Sequence, residues 1–463
     1  MSEVDKSRIM RPFLGSAPRV VGGDGRSVLA PGSRLDLAFR RAPWRVQALL
    51  PGDSGGTAPD SHRLPPHAIA ASDSPYIRLV PPSQRRTGAD ACPGALDVHR
   101  AADGGLARVR VPGGRLRAEQ LHRLADLAVD LGDGALELTS RANLQLRGLA
   151  EGAELDLGAE LAAIGLLPSR THEKVRNIMA SPLGPGDLVA ELDTAVCAES
   201  ELAALPGRFL FALDSGAGDV AWSRADLAAL PVGDRAALLI GGVDHGIRLA
   251  VDQVVPAMVA CAKAFLRVRD EQWRIAELPD TSVIVAALVD QEAQGQPFEA
   301  RIPVTVSPTE RVTPGTPPTG GPIGPVVFAD GGLGVGAAVP LGRLTAEQAR
   351  ALGDVVITPW RGVVVRGDLP ELGLITDPSA PGIGVTSCAG RPHCHKALAD
   401  VRAAALAVSV PGRAVHWAGC GRRCGRPAGD VLDVVATTDG YLVDGRAIPG
   451  ERVAEAVAQG RQD

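Results

Sequence analysis

The sequence has few aromatic residues and no long apolar run, and both absences limit what the chain can be. Phe, Trp and Tyr together make up 3% of its 463 residues. No stretch of 18 or more consecutive apolar residues is present, so the sequence predicts no transmembrane helix. Residues 1–12 also lack the apolar core of a signal peptide. We therefore expect a cytoplasmic protein that has no membrane partner.

The chain also lacks a strong net charge. Its formal charge is −5 at pH 7, so there is no global basic field that would attract nucleic acid. Its cations are almost all arginine, since lysine occurs only at positions 6, 174, 263 and 396. We expect no nucleic-acid partner.

Cysteine is scarce, yet four of the seven cysteines fall into two close pairs. Five residues separate Cys388 from Cys394, and three separate Cys420 from Cys424. Thiolates are soft ligands, and four of them can hold one 4Fe–4S cluster. The pattern predicts that these four cysteines converge on one metal centre.

Two other interpretations of the cysteines remain open. A structural zinc site is one, although its paired ligands are more often two to four residues apart. Disulfide bonds or inert thiols are the other, although nothing else in the sequence indicates an oxidising compartment. The cluster is the interpretation that the spacing favours.

An internal repeat organises most of the chain. Three segments of the first half recur in the same order in the second half. The matches are Ala102–Leu106 with Ala329–Leu333, Val111–Gln120 with Val339–Gln348, and Leu136–Arg141 with Val356–Arg361. Apolar periodicity predicts a β-α-β-β unit around each copy. The repeat therefore predicts two homologous halves related by a pseudo-twofold axis, each with a larger α/β domain after its small unit. The predicted fold class is α+β.

The same patterns predict the domain boundaries. Residues 1–88 mix Pro, Gly, Ser and Arg without periodicity, and we expect a disordered extension there. The remaining segments are a first small unit at 89–150, a first larger domain at 151–306, a linker at 307–325, a second small unit at 326–380 and a cysteine-containing domain at 381–463.

Three segments of the first half carry candidate anion-binding residues. Arg141 lies in a polar turn at a strand end, Arg176 and Asn177 begin an apolar segment, and Arg208 follows a Leu-Pro-Gly sequence. Guanidinium groups bind carboxylates in bidentate fashion and stay charged when desolvated. For each arginine, a surface position or a local ion pair remains the alternative.

Taken together, the cysteine spacing and these segments resemble the sulfite and nitrite reductase family. In that family the last cysteine bridges a 4Fe–4S cluster to sirohaem. The resemblance implies that the family fold spans both halves, and that Arg141 and Arg176 match its arginines. Arg208 stands where a lysine is usual, and Leu210 stands where a second lysine is common.

Within that superfamily the chain is most similar to the precorrin-3B synthases of aerobic cobalamin biosynthesis. The resemblance rests on Cys92-Pro-Gly-Ala-Leu, on the segment from Arg176 to Leu183 and on the loop that begins at Cys388. It implies an oxygen-dependent hydroxylation of precorrin-3A with γ-lactone closure. It also implies a 4Fe–4S electron relay, a non-haem iron and NADH as the ultimate reductant, with the direct electron donor unidentified.

Alternatives to the synthase stay open at this point. One is a sirohaem-dependent sulfite or nitrite reductase with Cys424 as the bridging ligand. Another is a non-catalytic zinc or cluster protein that binds a tetrapyrrole. The ligands of a non-haem iron are also open, because no compact histidine and carboxylate motif is present; the histidines near the proposed site segments are His172, His245, His393, His395 and His416.

Overall fold

The computed structural model describes residues 92–291, 301–307, 311–313, 320–427 and 429–463. The extension predicted at 1–88 lies outside these ranges, as does much of the linker predicted at 307–325. Among the described residues, no helix is long and apolar enough to cross a membrane.

The first half begins with a small unit whose apolar periodicity matches its elements. These are β1 (His99–Ala101), β2 (Gly104–Val109), β3 (Arg115–Leu116), α1 (Ala118–Leu131), β4 (Ala135–Leu138) and β5 (Leu144–Leu149). Helix α1 buries Leu121, Leu124, Leu127 and Ala128 on one face.

A larger domain follows, built on a six-stranded sheet of order β11-β10-β9-β8-β7-β6. Its elements are α2 (Ala153–Ala163), β6 (Ile178–Ala180), α3 (Asp187–Ala198), β7 (Phe211–Leu213), β8 (Leu227–Val232), β9 (Arg235–Ile240), β10 (Val243–Leu249), α4 (Val254–Val268), α5 (Ser282–Val289) and β11 (Thr305–Val306). Helices α3, α4 and α5 bury their apolar residues against this sheet in one core.

The second half repeats the small unit. Its elements are β12 (Gly324–Val327), β13 (Leu333–Ala338), β14 (Arg343–Thr345), α6 (Ala346–Ala351), β15 (Val355–Ile357) and β16 (Gly362–Arg366). Helix α6 begins with a capping box, in which Thr345 Oγ1 accepts from the Gln348 backbone N–H.

The chain ends in a domain that contains the paired cysteines. Its elements are β17 (Val385–Ser387), α7 (Val401–Leu406), β18 (Val415–Ala418), β19 (Leu432–Ala436), β20 (Tyr441–Val443), β21 (Arg446–Ile448) and α8 (Val453–Gln462). Strands β17, β18 and β19 are parallel, and β20 and β21 continue the sheet antiparallel. This arrangement confirms the predicted α+β class with two related halves.

The two small units exchange a strand with each other. Strand β14 of the second half pairs with β4 of the first, and β3 of the first pairs with β15 of the second. The resulting sheets have the orders β1-β2-β5-β4-β14 and β12-β13-β16-β15-β3. Neither half completes its own sheet, and one apolar core spans both units. The pseudo-twofold relation is therefore built into the hydrogen bonding of the two sheets.

This exchange corrects the register of one repeat. Leu116 lies opposite Val355 and its repeat counterpart Leu344 lies opposite Leu136, so Leu136 corresponds to Val355. The sequence match of Leu136 with Val356 is therefore wrong by one residue. Either register sets Glu137 of β4 against an apolar residue of β15, Ile357 or Val356, so the residues of these two strands do not distinguish the registers.

The turns after these strands agree with the corrected register. The Ala142 N–H donates to Thr139 O at 3.1 Å, and the Arg361 N–H donates to Thr358 O at 3.0 Å. Ala142 and Arg361 both have a left-handed backbone, with φ of 56° and 57°. Arg361 is therefore the counterpart of Ala142.

Removing a side chain from the exchanged strand should destabilise the whole protein. Leu344 is 1% exposed and faces Leu136 across the pairing of the two halves. We expect Leu344→Ala to lower the free energy of unfolding in urea by about 2–5 kcal/mol. The control is Leu333→Ala, at a leucine of the same half that is 71% exposed and should change stability by less than about 0.5 kcal/mol. If Leu344→Ala lowered the free energy of unfolding as little as Leu333→Ala does, this position of the exchanged strand would add nothing to stability.

Candidate functional site

A cavity of about 590 Å³ lies between the first small unit and the cysteine-containing domain. Residues of β1, β2, β4 and β5 form one side, and the loops after β17 and β18 form another. All four paired cysteines line it, namely Cys388, Cys394, Cys420 and Cys424. The structure thus brings together the residues that the sequence singled out.

The parallel pairing of β17 and β18 explains this convergence. Ser387 lies opposite Trp417, so Cys388 and Cys420 leave the sheet at the same edge. The carboxyl ends of parallel strands are a common place for ligands to bind. The Cys388 N–H donates to Trp417 O at 2.9 Å, and the Gly419 N–H donates to Cys388 Sγ at 3.1 Å. The start of the first loop is therefore fastened to the start of the second.

Close backbone packing brings in the rest of the first loop. The Leu398 N–H donates to Gly419 O at 2.8 Å. A Cβ on Gly419 would lie 2.7 Å from the Cβ of Ala397, so a larger residue at position 419 would push the loops apart. The Ala397 N–H donates to Cys394 O at 3.1 Å and closes the turn that carries that cysteine.

The four thiols influence one another electrostatically. All four are free of disulfide bonds. Burial raises the pKa of the Cys424 thiol, and the neighbouring Cys388, Cys420 and Cys394 raise it further. Four nearby thiolates repel one another, and a bound metal centre would compensate that repulsion.

Four thiols are a donor set for a 4Fe–4S cluster or for a zinc ion. Across the described residues, no group of three or more His, Cys, Asp or Glu is placed to hold one metal ion. A tetrahedral zinc site would need all of its sulfurs about 2.3 Å from one point. A 4Fe–4S cluster binds each thiolate at a different iron, so its sulfurs lie farther apart. The chemistry of the donors, four free thiols at one cavity, fits such a cluster.

Several cations that the sequence analysis did not single out line the same cavity. They are Arg100, Arg108, Arg147, Arg361, Lys396, Arg402 and Arg422. Burial lowers the pKa of Arg108 and of Arg361. The Arg361 Nη2 donates to Gly425 O at 2.9 Å, next to Cys424. Such a cavity can bind a molecule that carries several carboxylates.

Arg141 and Arg208, both predicted from sequence, contact each other but are not among the residues that line this cavity. Arg141 Nη1 donates to Arg208 O at 3.1 Å, and the adjacent Ser140 lines the cavity. Burial lowers the pKa of Arg141 to about 10, and repulsion by Arg274, Arg108 and Arg208 adds to the effect. Arg141 is therefore still protonated at neutral pH, with its charge directed to the Arg208 backbone.

Arg176 lies elsewhere, inside the larger domain. It is 2% exposed, and its Nε and Nη2 each donate to Asp193 of α3 at 2.7 Å. Its Nη1 donates to Leu166 O at 2.8 Å. Each of its three nitrogens thus has a protein acceptor, and the structure does not bring this predicted residue to the cavity.

Asn177 joins two domains through its side chain. Its Oδ1 accepts from Asn143 Nδ2 at 2.9 Å and from Arg110 Nη1 at 3.3 Å, and its Nδ2 donates to Phe209 O at 3.0 Å. Asn143 and Arg110 belong to the small unit, whereas Phe209 directly follows Arg208. The buried Asn177 therefore links the small unit to the backbone next to Arg208 and does not line the cavity.

Leu210 is part of the core. It is 2% exposed and packs with Met179, Ala212 and Leu239. The resemblance placed a second lysine of the reductases at this position. In this chain the position supplies no cation.

The candidate histidines divide into two groups. His393 and His395 line the cavity, as does His99, which the sequence analysis missed. His172 is buried away from it, with Nδ1 at 2.7 Å from Ser169 Oγ and Nε2 at 3.1 Å from Glu199 O.

The remaining two histidines do not line the cavity either. His416 lies on β18 with Nδ1 at 2.9 Å from Thr386 Oγ1, and burial followed by repulsion from Arg361 lowers its pKa to about 4. Burial also lowers the pKa of His245. Since the described residues include no three-ligand group, they do not fit the expected non-haem iron.

Comparisons with known proteins agree with this architecture. Residues 99–164 match the nitrite/sulfite reductase ferredoxin-like half domain. The solved structure of the Mycobacterium tuberculosis NirA protein aligns with a TM-score of 0.59 at 18% identity, over 76% of this chain and 79% of that one. The chain has the sulfite/nitrite reductase fold.

Two proteins with similar sequences bear the names of different activities. A ferredoxin–nitrite reductase of Synechococcus elongatus is 29% identical over 409 residues, covering 73% of this chain and 78% of the relative. A precorrin-3B synthase of a Sinorhizobium species is 26% identical over 398 residues, covering 77% and 83%. These similarities support the nitrite/sulfite reductase superfamily and do not choose between the two activities.

The contacts of Arg176 predict a loss of stability when it is replaced. Arg176→Ala leaves the carboxylate of Asp193, which is 19% exposed, without its cation. We expect the free energy of unfolding to fall by about 3 kcal/mol, measured by urea denaturation. Arg350→Ala is the control, because it removes an ion pair to Asp126 in which both side chains are more than 40% exposed, and it should cost less than about 1 kcal/mol. Equal stability of the two variants would argue that the Arg176 pair is not a structural element.

Proposed function

We propose that this chain is a 4Fe–4S oxidoreductase that acts on a carboxylate-rich tetrapyrrole, with Cys388, Cys394, Cys420 and Cys424 as the cluster ligands. The specific reaction that we propose is the oxygen-dependent hydroxylation of precorrin-3A with γ-lactone closure, the reaction of a precorrin-3B synthase. The observation that carries the proposal is that four free thiols and a group of cations line one cavity.

The cysteine chemistry supports the redox part. A bound 4Fe–4S cluster accepts and delivers single electrons, which ground-state dioxygen requires in order to react with a closed-shell organic molecule. The protein contributes four thiols on two fastened loops, and Arg361 adds positive charge beside Cys424. Positive charge and amide N–H groups near thiolates stabilise their anionic form.

The cavity supports the substrate class. Its volume of about 590 Å³ lies in the range of small-molecule sites. A uroporphyrinoid macrocycle such as precorrin-3A carries eight carboxylates, and the cavity presents cations from the small unit, from α7 and from both cysteine loops. These side chains bind and orient the anionic substrate, and the sheet side of the cavity supplies apolar contact through Ala101, Leu106 and Leu138.

The reaction balances with the partners that the resemblance implies. One oxygen atom of dioxygen enters the macrocycle and the other leaves as water, while NADH supplies two electrons through a donor protein that is not identified. Because the described residues hold no three-ligand group for a non-haem iron, we assign no step to one.

The position of Leu210 favours the synthase over a reductase. The reductases commonly have a lysine there, which would help to bind a small oxyanion, whereas Leu210 is buried in the core. A precorrin-3B synthase is also among the relatives of the chain. A sirohaem-dependent nitrite reductase is the second candidate, because the Synechococcus relative has the higher identity of the two.

Cofactor analysis followed by activity measurement tests these candidates. The protein is purified anaerobically, and iron, acid-labile sulfide and sirohaem are measured per chain. The synthase proposal predicts about four iron and four sulfide with no sirohaem. It also predicts conversion of precorrin-3A when dioxygen, NADH and a reductase system are supplied.

The other outcomes are distinct. Stoichiometric sirohaem together with nitrite reduction by a chemical electron donor would establish the second candidate. Zinc without sulfide would remove both, and would leave a non-catalytic protein that binds a tetrapyrrole.

Replacing one proposed ligand should remove the cluster. We expect Cys420→Ser to abolish or strongly alter the EPR signal of the reduced protein and to lower the iron content. Cys197→Ser is the control, because that cysteine lies on α3, away from the cavity. A Cys420→Ser protein with the iron content and signal of the unmodified protein would exclude Cys420 from the ligand set.

A further inference from the structure

An aspartate and an arginine form the same ion pair in both repeats. In the first half, Arg147 Nε and Nη2 donate to Asp103 Oδ2 and Oδ1 at 2.9 and 3.0 Å. In the second half, Arg366 Nη1 and Nη2 donate to Asp330 Oδ1 and Oδ2 at 3.2 and 2.7 Å. Each aspartate lies between the first two strands of its unit, and each arginine lies on the last strand. The two pairs are structural counterparts in the corrected register.

The surroundings of the two pairs differ. The side chains of Arg147 and Asp103 are 7% and 14% exposed, whereas those of Arg366 and Asp330 are 57% and 61% exposed. Exposed ion pairs contribute little to stability, and buried pairs persist where further hydrogen bonds satisfy them. The buried copy is the one that lies beside the cysteine loops.

His393 provides the additional contacts of the buried pair. Its Nδ1 lies 3.1 Å from Asp103 Oδ2, a distance at which the imidazole N–H donates to the carboxylate. The Arg147 Nη2 also donates to the His393 backbone O at 3.2 Å. His393 directly precedes Cys394, so both contacts hold the backbone next to a proposed cluster ligand. Among the described residues, no hydrogen bond joins Asp330 or Arg366 to the cysteine-containing domain.

We propose that Asp103 and Arg147 are positioning residues that fasten the Cys388–Cys394 loop to the first small unit through His393. One copy of a duplicated ion pair has thereby acquired a role at the redox site, and the other copy has kept only its local contact. The role in cluster retention rests on the proposed function. The fastening of the loop does not.

The physical reasoning is that a cluster ligand on a loop must be held in place. Residues that orient metal ligands commonly change metal affinity by about 10-fold to 100-fold when they are replaced. Asp103→Asn keeps the size of the side chain but removes the charge and turns an amide N–H toward donors. We expect it to free the loop from the small unit without emptying any space in the core.

The control is provided by the duplication. Asp330→Asn makes the same chemical change in the counterpart pair. The side chains of Arg366 and Asp330 are 57% and 61% exposed, and their hydrogen bonds in the described part of the chain reach no cysteine loop. His393→Ala is a second variant, because it leaves the Asp103 and Arg147 pair intact while removing the imidazole. It keeps the proposal testable if Asp103→Asn does not fold.

The first measurement is amide hydrogen exchange of residues 389–397 in the full-length, metal-free protein. We expect Asp103→Asn and His393→Ala to speed exchange there about 5-fold or more, and Asp330→Asn to leave it unchanged. In a double-mutant cycle, Asp103→Asn combined with His393→Ala should exchange no faster than the more affected single variant, because both remove one contact. Unchanged exchange in both single variants would refute the fastening.

The second measurement is the rate at which an iron chelator removes iron from anaerobically purified protein, with the EPR spectrum of the reduced state. We expect about 10-fold faster loss and an altered spectrum in Asp103→Asn, and the unmodified rate in Asp330→Asn. Equal rates and spectra in these two variants would refute the positioning role. If the unmodified protein holds no iron, the proposed function fails, and hydrogen exchange still decides whether the loop is fastened.

Discussion

Four sulfur atoms that would repel one another as thiolates share the wall of one cavity. This constraint organises the rest of the site. Burial raises the pKa of Cys424, and the other three thiols raise it further. A positively charged centre bound by the four thiolates would offset their repulsion, as the proposed cluster does. The parallel strands β17 and β18 bring the two loops to one edge, and hydrogen bonds between the loops hold them there.

The duplicated scaffold makes the opposite wall rigid. Each small unit completes its sheet with a strand from the other, so the two cannot separate without breaking both sheets. The cations of β2 and β5 therefore stand at fixed positions relative to the rest of the core. Asn177 extends that rigidity into the larger domain and supports Arg141 and Arg208. A large anionic ligand would meet a wall that needs little reorganisation on binding.

The sequence predicted the features that leave a periodic or repeated trace. The meeting of the four paired cysteines at one cavity, the first β-α-β-β unit and the two related halves are of this kind. The exchange of strands left no trace, because a strand pairs equally well with its own unit or with the other. The register slip at Leu136 also stayed hidden, since either register sets Glu137 against an apolar residue of β15. The contact between Asp103 and His393 spans 290 positions, and nothing in the local sequence indicates it.

The arginines show the same limit most clearly. Arg141 and Arg176 looked equivalent in sequence, yet Arg141 follows the cavity-lining Ser140 and donates to Arg208 O, whereas Arg176 binds Asp193 in the core. Only the tertiary structure separates them, because a guanidinium serves either purpose. The most direct test of the central claim is the Mössbauer spectrum of anaerobically purified protein produced with ⁵⁷Fe. We predict the quadrupole doublets of a 4Fe–4S cluster, and we predict that these doublets are lost when Cys388 or Cys424 is replaced by serine. A protein free of iron, or a spectrum of isolated iron ions that both replacements leave unchanged, would contradict it.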